Sequence, residues 1–454
     1  MNDVNDKKVL VVGMGRSGKA AAMALEKAGA KISVQDSKTE DTMDPQLLSF
    51  LKSAGYELYL GKVPDDMTQF DMVVLSPGVP TSLEFIREAQ QAGVEITGEL
   101  EMAYRLGKGR YIAITGTNGK TTTTSLVGEI FAAAVPSSYV VGNIGVAVIT
   151  KAIEAEDDSV LVTECSSFQL ETVSTFRPEV SAILNLTPDH LNRHGDMAGY
   201  GRAKANIFMN QTEDQYCVLN YDDKQCFALG KTTRARIVPF SRLEELEFGA
   251  FVKDGRIVIR NEEGEIIDFC GTDQLKIPGS HNLENALAAC AIAYFAGVNP
   301  DVIAGVLTKF AGVEHRIELC AQINGVRYVN DSKGTNPDAA IKAIEAMREN
   351  IILIAGGYDK GSSYDEFVAA FEGRVKALVL LGVTAPKIRE QALAAGFTNI
   401  YMCSDMAECV KTSHEIAVEG DVVLLSPACA SWDMYSSFED RGKDFKECVA
   451  ELER

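Results

Sequence analysis

Short runs of β-branched and aliphatic residues recur along the chain, at Val9–Val12, Ile32–Gln35, Met72–Leu75, Tyr111–Ile114, Val160–Thr163, Ala182–Leu186, Ile351–Ala355, Ala377–Leu381 and Val422–Leu425. Longer stretches with helical patterning separate them, so the rhythm predicts βαβ units and parallel sheets, an α/β fold. Most of the runs are followed by glycine, a small polar residue or an acid. In parallel sheets those positions sit at the carboxyl ends of strands, where ligands bind.

At 454 residues the chain exceeds what one hydrophobic core supports, and the length implies roughly three domains of about 150 residues. Changes in the motif set place the boundaries near residues 98 and 312, giving segments 1–98, 99–312 and 313–454. A content of 46% hydrophobic and 24% charged residues is that of a globular protein and argues against long disorder. The net charge of -20 disfavours nucleic acid or an anionic membrane as a large-area partner. The longest apolar stretch, Ala286 to Val298, is shorter than the roughly 18 residues a membrane span needs. The start of the chain has too short an apolar run for a signal-peptide core. The ten cysteines contain no Cys-x-x-Cys pair, which argues against a zinc site or a disulfide framework and for reduced thiols in a cytoplasmic protein.

Two glycine turns carry the candidate chemistry. Gly13-Met14-Gly15-Arg16-Ser17-Gly18 follows the first strand and opens a helix, and the second strand ends at Asp36. This is the dinucleotide pattern in its expected context: the backbone can approach a pyrophosphate at the helix N-terminus, and Asp36 can accept from a ribose or uracil group. Alone it suggests a nicotinamide cofactor, or a plain packing turn. Ser76-Pro77-Gly78 follows another strand and can line the same cleft. The second turn, Thr115-Gly116-Thr117-Asn118-Gly119-Lys120-Thr121-Thr122-Thr123, is sharper. Its N–H groups form a nest for phosphate, Lys120 reaches β/γ oxygens, and the Thr121 hydroxyl can ligate magnesium. A hydride-transfer enzyme has no evident need for an ATP turn; an ATP-driven ligase whose other substrate carries a nucleotide diphosphate needs both.

Glu164 ends one strand, and Asp189 and His190 follow its neighbour; such groups suit a hard cation beside phosphate oxygens, or merely cap helices. Four of the five histidines (190, 194, 281, 315) lie in motif-like segments. Lys204, in Gly201-Arg202-Ala203-Lys204, reads by itself as a solvated helix lysine.

Taken together, GTNGKTTT, ECSSFQLE, NLTPDHLNRHG, GRAKANIF, GSHNLENALAA, EHRIE, NDSKGTNPDAA and SPACASWDMYSSFEDRG resemble the Mur ligase family, in the same order and over essentially the whole chain. Folylpolyglutamate synthetases share only part of this set. The N-terminal turn, NDSKGTNP and SPACAS are most similar to the D-glutamate-adding members. The resemblance implies a Rossmann-like UDP-binding domain, a central P-loop ATPase-like domain with a mostly parallel sheet, and a Rossmann-like C-terminal domain. It further implies that ATP phosphorylates the alanyl carboxylate of UDP-N-acetylmuramoyl-L-alanine, and that the amine of D-glutamate attacks the acyl phosphate through a tetrahedral intermediate.

By position the resemblance assigns catalysis to Lys120, His190 and Lys204. ATP falls to Gly116, Thr117, Asn118, Gly119, Lys120, Thr121, Thr122, Asn282, Asn285, Arg316 and Asp331. The metal ligands implied for two magnesium ions are Thr121, Glu164, His190 and Lys204, the lysine as its carbamate with CO2. Gly15, Arg16, Ser17, Asp36, Gly78, Asn143 and His190 would hold the UDP-sugar. D-Glutamate would meet His190, Lys333, Thr335, Ser431 and Phe438. Trp432 stands where relatives often carry a smaller apolar residue, and Asp359 and Lys360 occupy a turn unlike the common form. A monomer acting on small molecules is expected, without nucleic acid or membrane.

Overall fold

The computed structural model describes residues 4–347, 350–359 and 362–452, and it forms three sheets. The chain divides into two compact units, residues 1–274 with 284–308, and residues 275–283 with 309–454.

The first unit holds two sheets. In the five-stranded one the order is Glu57–Leu60, Lys31–Asp36, Lys8–Val12, Met72–Leu75, Glu95–Gly98, and every pairing is parallel. Lys8–Val12 pairs on one side with the strand that follows it and on the other with Met72–Leu75. The chain order therefore reverses beside the first strand, and the cleft at this switch point lies where Gly13–Gly18 and Ser76–Gly78 emerge. The two turns are joined there: Ser76 Oγ donates to Gly13 O at 2.7 Å.

The nine-stranded sheet of the same unit runs Ile266–Gly271, Arg256–Arg260, Gly249–Lys253, Arg236–Ser241, Tyr216–Asn220, Val180–Ile183, Arg110–Thr115, Val160–Glu164, Ser138–Gly142. It is parallel except for the pairings of Arg256–Arg260 with its two neighbours. Arg110–Thr115 lies between Val160–Glu164 and Val180–Ile183, so the second glycine turn is flanked by the ends of both. All three strands are almost entirely buried, which explains their unbroken apolar runs.

The strand expected over Ala182–Leu186 ends at Ile183. Beyond it the chain leaves the sheet to wrap the glycine turn: Asn185 accepts from Thr117 N through its own carbonyl and its side chain, both at 3.1 Å.

Helix Glu99–Leu106 connects the two sheets through buried acids. Glu101 accepts from the backbone N–H groups of Ser174, Thr175 and Phe176 and from the hydroxyls of Ser174 and Thr175. Glu101→Ala strands three backbone donors, that of Phe176 buried and those of Ser174 and Thr175 partly so, and we expect it to cost about 2 kcal/mol of stability. A urea midpoint that does not fall, at unchanged m-value, would contradict this.

The second unit carries a six-stranded sheet, Glu318–Ile323, Val326–Asn330, Val422–Leu425, Ile351–Ala355, Val375–Leu380, Ile400–Met402, parallel apart from its first pair. Its two faces are covered by separate apolar clusters, one around Leu353 and Phe367 and the other around Ile354 and Phe445. Three sheets with helices on their faces make this an α/β protein, as the patterning predicted. Among the described residues no helix is long and apolar enough to cross a membrane.

Candidate functional site

The second glycine turn is shaped by residues that do not tolerate replacement. Gly116 and Gly119 have φ of 153° and 81°, and a Cβ on Gly119 would run into Asn285 Oδ1. Asn185 Oδ1 accepts from Asn118 N at 2.8 Å and its Nδ2 donates to Asn118 O at 3.1 Å, so a side chain from the adjacent strand end holds the turn open. Lys120 begins the helix Lys120–Ala134, with Thr121 and Thr122 buried in its first turn. Its Nζ folds back onto the carbonyls of Gly116 at 2.9 Å and Thr117 at 2.7 Å, which keeps the ammonium over the nest it would serve.

Lys204 is not the solvated lysine that its helix suggested: it is 1% exposed. Its Nζ donates to Gly116 O at 2.7 Å and lies 4.5 Å from the centre of the Tyr200 ring. Burial, and then the nearby Lys120 ammonium, hold its pKa well below the ordinary lysine value, with Asp189 opposing. The Lys204 amine is therefore biased toward its neutral, nucleophilic form. Instead of pointing into solvent, the side chain turns in to the carbonyl of Gly116.

Glu164 is buried at its strand end. Asn143 Nδ2 donates to Oε1 at 2.7 Å, while Oε2 has no hydrogen-bond partner among the described residues. A buried carboxylate oxygen without a partner is costly, and a cation would remove that cost. His190 takes a left-handed φ of 53°, stacks near Phe168 at 4.7 Å, and lies 3.5 Å from Asp189 Oδ2.

The first glycine turn belongs to the same unit. Gly15 precedes helix Arg16–Lys27, with Ser17 in its first turn, and Arg16 donates to Gly145 O at 2.9 Å and Asn143 O at 3.4 Å. Asp36 accepts from Met14 N at 2.7 Å and Lys38 N at 2.9 Å, so its carboxylate also shapes the turn. Gly78 follows strand Met72–Leu75 in the neighbouring turn. Asn143 thus touches Arg16 through its carbonyl and Glu164 through its amide, linking the first glycine turn to the strand end that lies beside the second.

In the second unit, Asp331 is buried and its Oδ2 accepts from Ser426 Oγ at 2.7 Å. Burial pushes its pKa up to about 6, against the pull of Arg316. Lys333 Nζ sits 5.1 Å from the centre of the Phe438 ring, and Thr335 N donates to Lys333 O at 2.9 Å. Ser431 is buried, and Asn282 Nδ2 donates to Pro278 O at 2.6 Å. Asp359 accepts from Lys387 Nζ at 3.1 Å, whereas Lys360 lies outside the described residues. Trp432 is largely exposed and packs 5.6 Å from Tyr358. The second unit also places Glu314, His315 and Glu318 together, but Lys446 already bonds to both glutamates.

Three contributors escaped the sequence reading. Tyr200 Oη lies 3.3 Å from Thr117 Oγ1 under the second glycine turn. Arg193 binds Glu171 at 2.6 Å and reaches Pro77 O and Val79 O at 3.0 and 3.1 Å, tying the two sheets together. The buried Arg441 donates to Ser332 O, Cys429 O and Ala430 O, and so organises the SPACAS loop. Both arginines stand inside quoted motifs, but their partners are 11 to 116 positions away, and no local spacing signals such pairs.

Comparison with known proteins gives this arrangement relatives. Residues 7–98 match the MurD-like N-terminal domain of Mur ligases, residues 114–293 the Mur ligase middle domain, and residues 315–429 the Mur ligase glutamate ligase domain. A Clostridioides difficile (strain 630) protein named UDP-N-acetylmuramoylalanine–D-glutamate ligase is 52% identical, covering 99% of this chain and 100% of its own. A protein of that name from Thermoanaerobacter sp. (strain X514) is 50% identical over 100% of both chains. Among solved structures, the UDP-N-acetylmuramate-alanine ligase MurC of Thermotoga maritima shares the fold at TM-score 0.60 and 21% identity, over 98% of this chain and 100% of that one. The MurF ligase of Thermotoga maritima in complex with ADP does so at TM-score 0.60 and 14% identity, over 99% and 96%. With matching domains in order and half its residues shared from end to end with such relatives, this chain belongs to the Mur ligase family.

Proposed function

We propose that the protein is an ATP-dependent amide ligase that adds D-glutamate to UDP-N-acetylmuramoyl-L-alanine in peptidoglycan precursor synthesis. The observation that carries this reading is the presence of two phosphate-ready turns on one unit, with Arg16 and Asn143 joining the first to Glu164 at the strand end beside the second. The names of the half-identical relatives support the choice of substrates. Segments 1–98, 99–312 and 313–454 then divide the labour among UDP-sugar, ATP and the incoming amino acid. The protein works as a cytoplasmic monomer on small molecules.

The alanyl carboxylate takes the γ-phosphoryl group of ATP, the amine of D-glutamate attacks the acyl carbon, and the tetrahedral intermediate collapses to amide and phosphate. Lys120 and the N–H groups of Gly116–Thr122 hold the phosphate oxygens and offset charge as it builds. Asn282, Asn285, Arg316 and Asp331 hold the rest of the nucleotide. Gly15, Arg16, Ser17, Asp36, Gly78 and Asn143 hold the UDP-sugar, and Lys333, Thr335, Ser431 and Phe438, with His190, hold D-glutamate. Magnesium fits here, because Glu164 Oε2 is a buried acceptor without a partner among the described residues. Thr121, Glu164, His190 and a carbamylated Lys204 would hold two such ions, which supply neutralisation of the charge between the reacting anions.

Phosphate release should be appreciable only when ATP, the UDP-sugar and D-glutamate are all present. Equal release with either of the last two omitted, or replacement of the UDP-sugar by dihydrofolate without loss, would overturn the reading.

A further inference from the structure

We infer that Arg193 is a positioning residue for the UDP-sugar: its guanidinium fixes the turn that carries Gly78 and, through Phe168, the loop that carries His190. On the ligase reading, on which this rests, Gly78 and His190 both meet that substrate.

The fold collects residues that lie far apart in the chain, all within the first unit. Pro77, Gly78 and Val79 follow strand Met72–Leu75, and Glu171 ends the short helix Ser167–Leu170. Arg193 lies in helix Leu191–His194, which His190 precedes. The side chains of Arg193 and Glu171 are 14% and 15% exposed, so their ion pair is largely shielded from water. Arg193 Nε is 3.1 Å from both oxygens of the Glu171 carboxylate, and Nη2 is 2.6 Å from Oε2. With the fork held in that way, Nη1 donates to Pro77 O at 3.0 Å and Nη2 to Val79 O at 3.1 Å. These carbonyls belong to the residues on either side of Gly78. Gly78 itself is exposed, and a Cβ there would meet nothing within 4 Å, so the space beside the gripped turn is open.

The turn has bonds of its own, from Val79 N to Ser76 O at 2.9 Å and from Ser76 Oγ to Gly13 O. Those fix it to its own sheet; Arg193 fixes it to the loops of the nine-stranded one. The same guanidinium lies 4.2 Å from the centre of the Phe168 ring, and the His190 ring lies 4.7 Å from that centre. Arg193 N also donates to His190 O at 3.0 Å, and Glu171 Oε1 is 3.3 Å from His194 Nδ1. His190 needs such support, because φ of 53° is a state that a residue with a Cβ holds only when its surroundings fix it.

Arginine suits this place because its planar fork serves one carboxylate and two carbonyls at once. The single Nζ of lysine cannot span them. One side chain therefore sets the separation of two contacts on one substrate. Loosening it weakens the hold on the UDP-sugar and misplaces the alanyl carboxylate against ATP, so both KM and kcat respond.

The test is steady-state kinetics and calorimetry on the full chain with Arg193→Ala, Arg193→Lys and Glu171→Gln. For Arg193→Ala, KM for UDP-N-acetylmuramoyl-L-alanine should rise about tenfold and kcat fall about tenfold, with ATP affinity unchanged within about twofold. Arg193→Lys should behave like the alanine variant, and Glu171→Gln should raise the same KM by a smaller factor. An unchanged KM for the UDP-sugar in Arg193→Lys overturns the inference. Equal losses of UDP-sugar and ATP affinity, with a lowered melting temperature, also overturn it, because they mark a brace for the whole unit. If Arg193→Ala does not fold, Arg193→Lys decides. Calorimetry separates this inference from the ligase reading: a wild type that does not bind the UDP-sugar overturns both, whereas equal binding by wild type and Arg193→Lys overturns the inference alone.

Discussion

Lys120→Ala is expected to lower turnover by about 10²–10³-fold, in the range seen when one preorganised charge is taken from a transition state. The lysine is already in place. It opens the helix, its stem crosses the turn, and its ammonium is held over two carbonyls of the turn at 2.7 and 2.9 Å. A triphosphate entering the nest exchanges those weak acceptors for anionic oxygens, with little change in side-chain position and hence little ordering entropy to lose. The effect should fall on kcat more than on KM for the amino acid, which never touches Lys120 in the proposed scheme. Lys120→Arg keeps the charge but not its shape in a turn this tight, and should rescue little. The measurement is steady-state phosphate release with all three substrates, beside ATP binding by calorimetry. Turnover of Lys120→Ala within about threefold of wild type would remove the residue from the site.

What the chain disclosed in advance follows from how local each cause is. The buried strands at Val9–Val12, Tyr111–Ile114 and Ile351–Ala355 lie inside strands of the structure because full burial leaves an uninterrupted apolar run. The glycine turns were legible because positive φ and close backbone approach select glycine residue by residue. The half-exposed strands were silent: Glu57–Leu60 and Glu318–Ile323 are mixed in polarity, and no glycine motif marks them. Asp36 is read from the sequence as a ligand group, yet its carboxylate also accepts from Met14 N, in a turn 22 residues earlier, and from Lys38 N, two residues later. Tyr200, Arg193 and Arg441 act across the fold, through partners that sequence distance hides. Their roles are tertiary in origin, so no local pattern marks them.

Lys204→Ala should be the more damaging of the two lysine changes, with turnover reduced about a thousandfold, or about 4 kcal/mol. The reason is that Lys204 is a buried base rather than a fixed cation. An ammonium at 1% exposure, beside Lys120, has both desolvation and like-charge repulsion against it. The neutral amine that results is what CO2 requires, and the carbamate it forms is an anion at the end of a lysine stem, suited to a divalent cation near Glu164. Alanine removes the stem and leaves a cavity under Gly116, so acetate or formate should partly restore turnover, whereas neutral amides of the same size should not. Wild-type activity should fall when bicarbonate is stripped, and should fall as pH drops, because protonation of the amine competes with its capture of CO2. Lys204→Arg, which keeps a charge that cannot form a carbamate, should be as inactive as alanine and resist rescue. If Lys204→Ala works normally, or if added carboxylates and amides act alike, the lysine only braces the Gly116 turn.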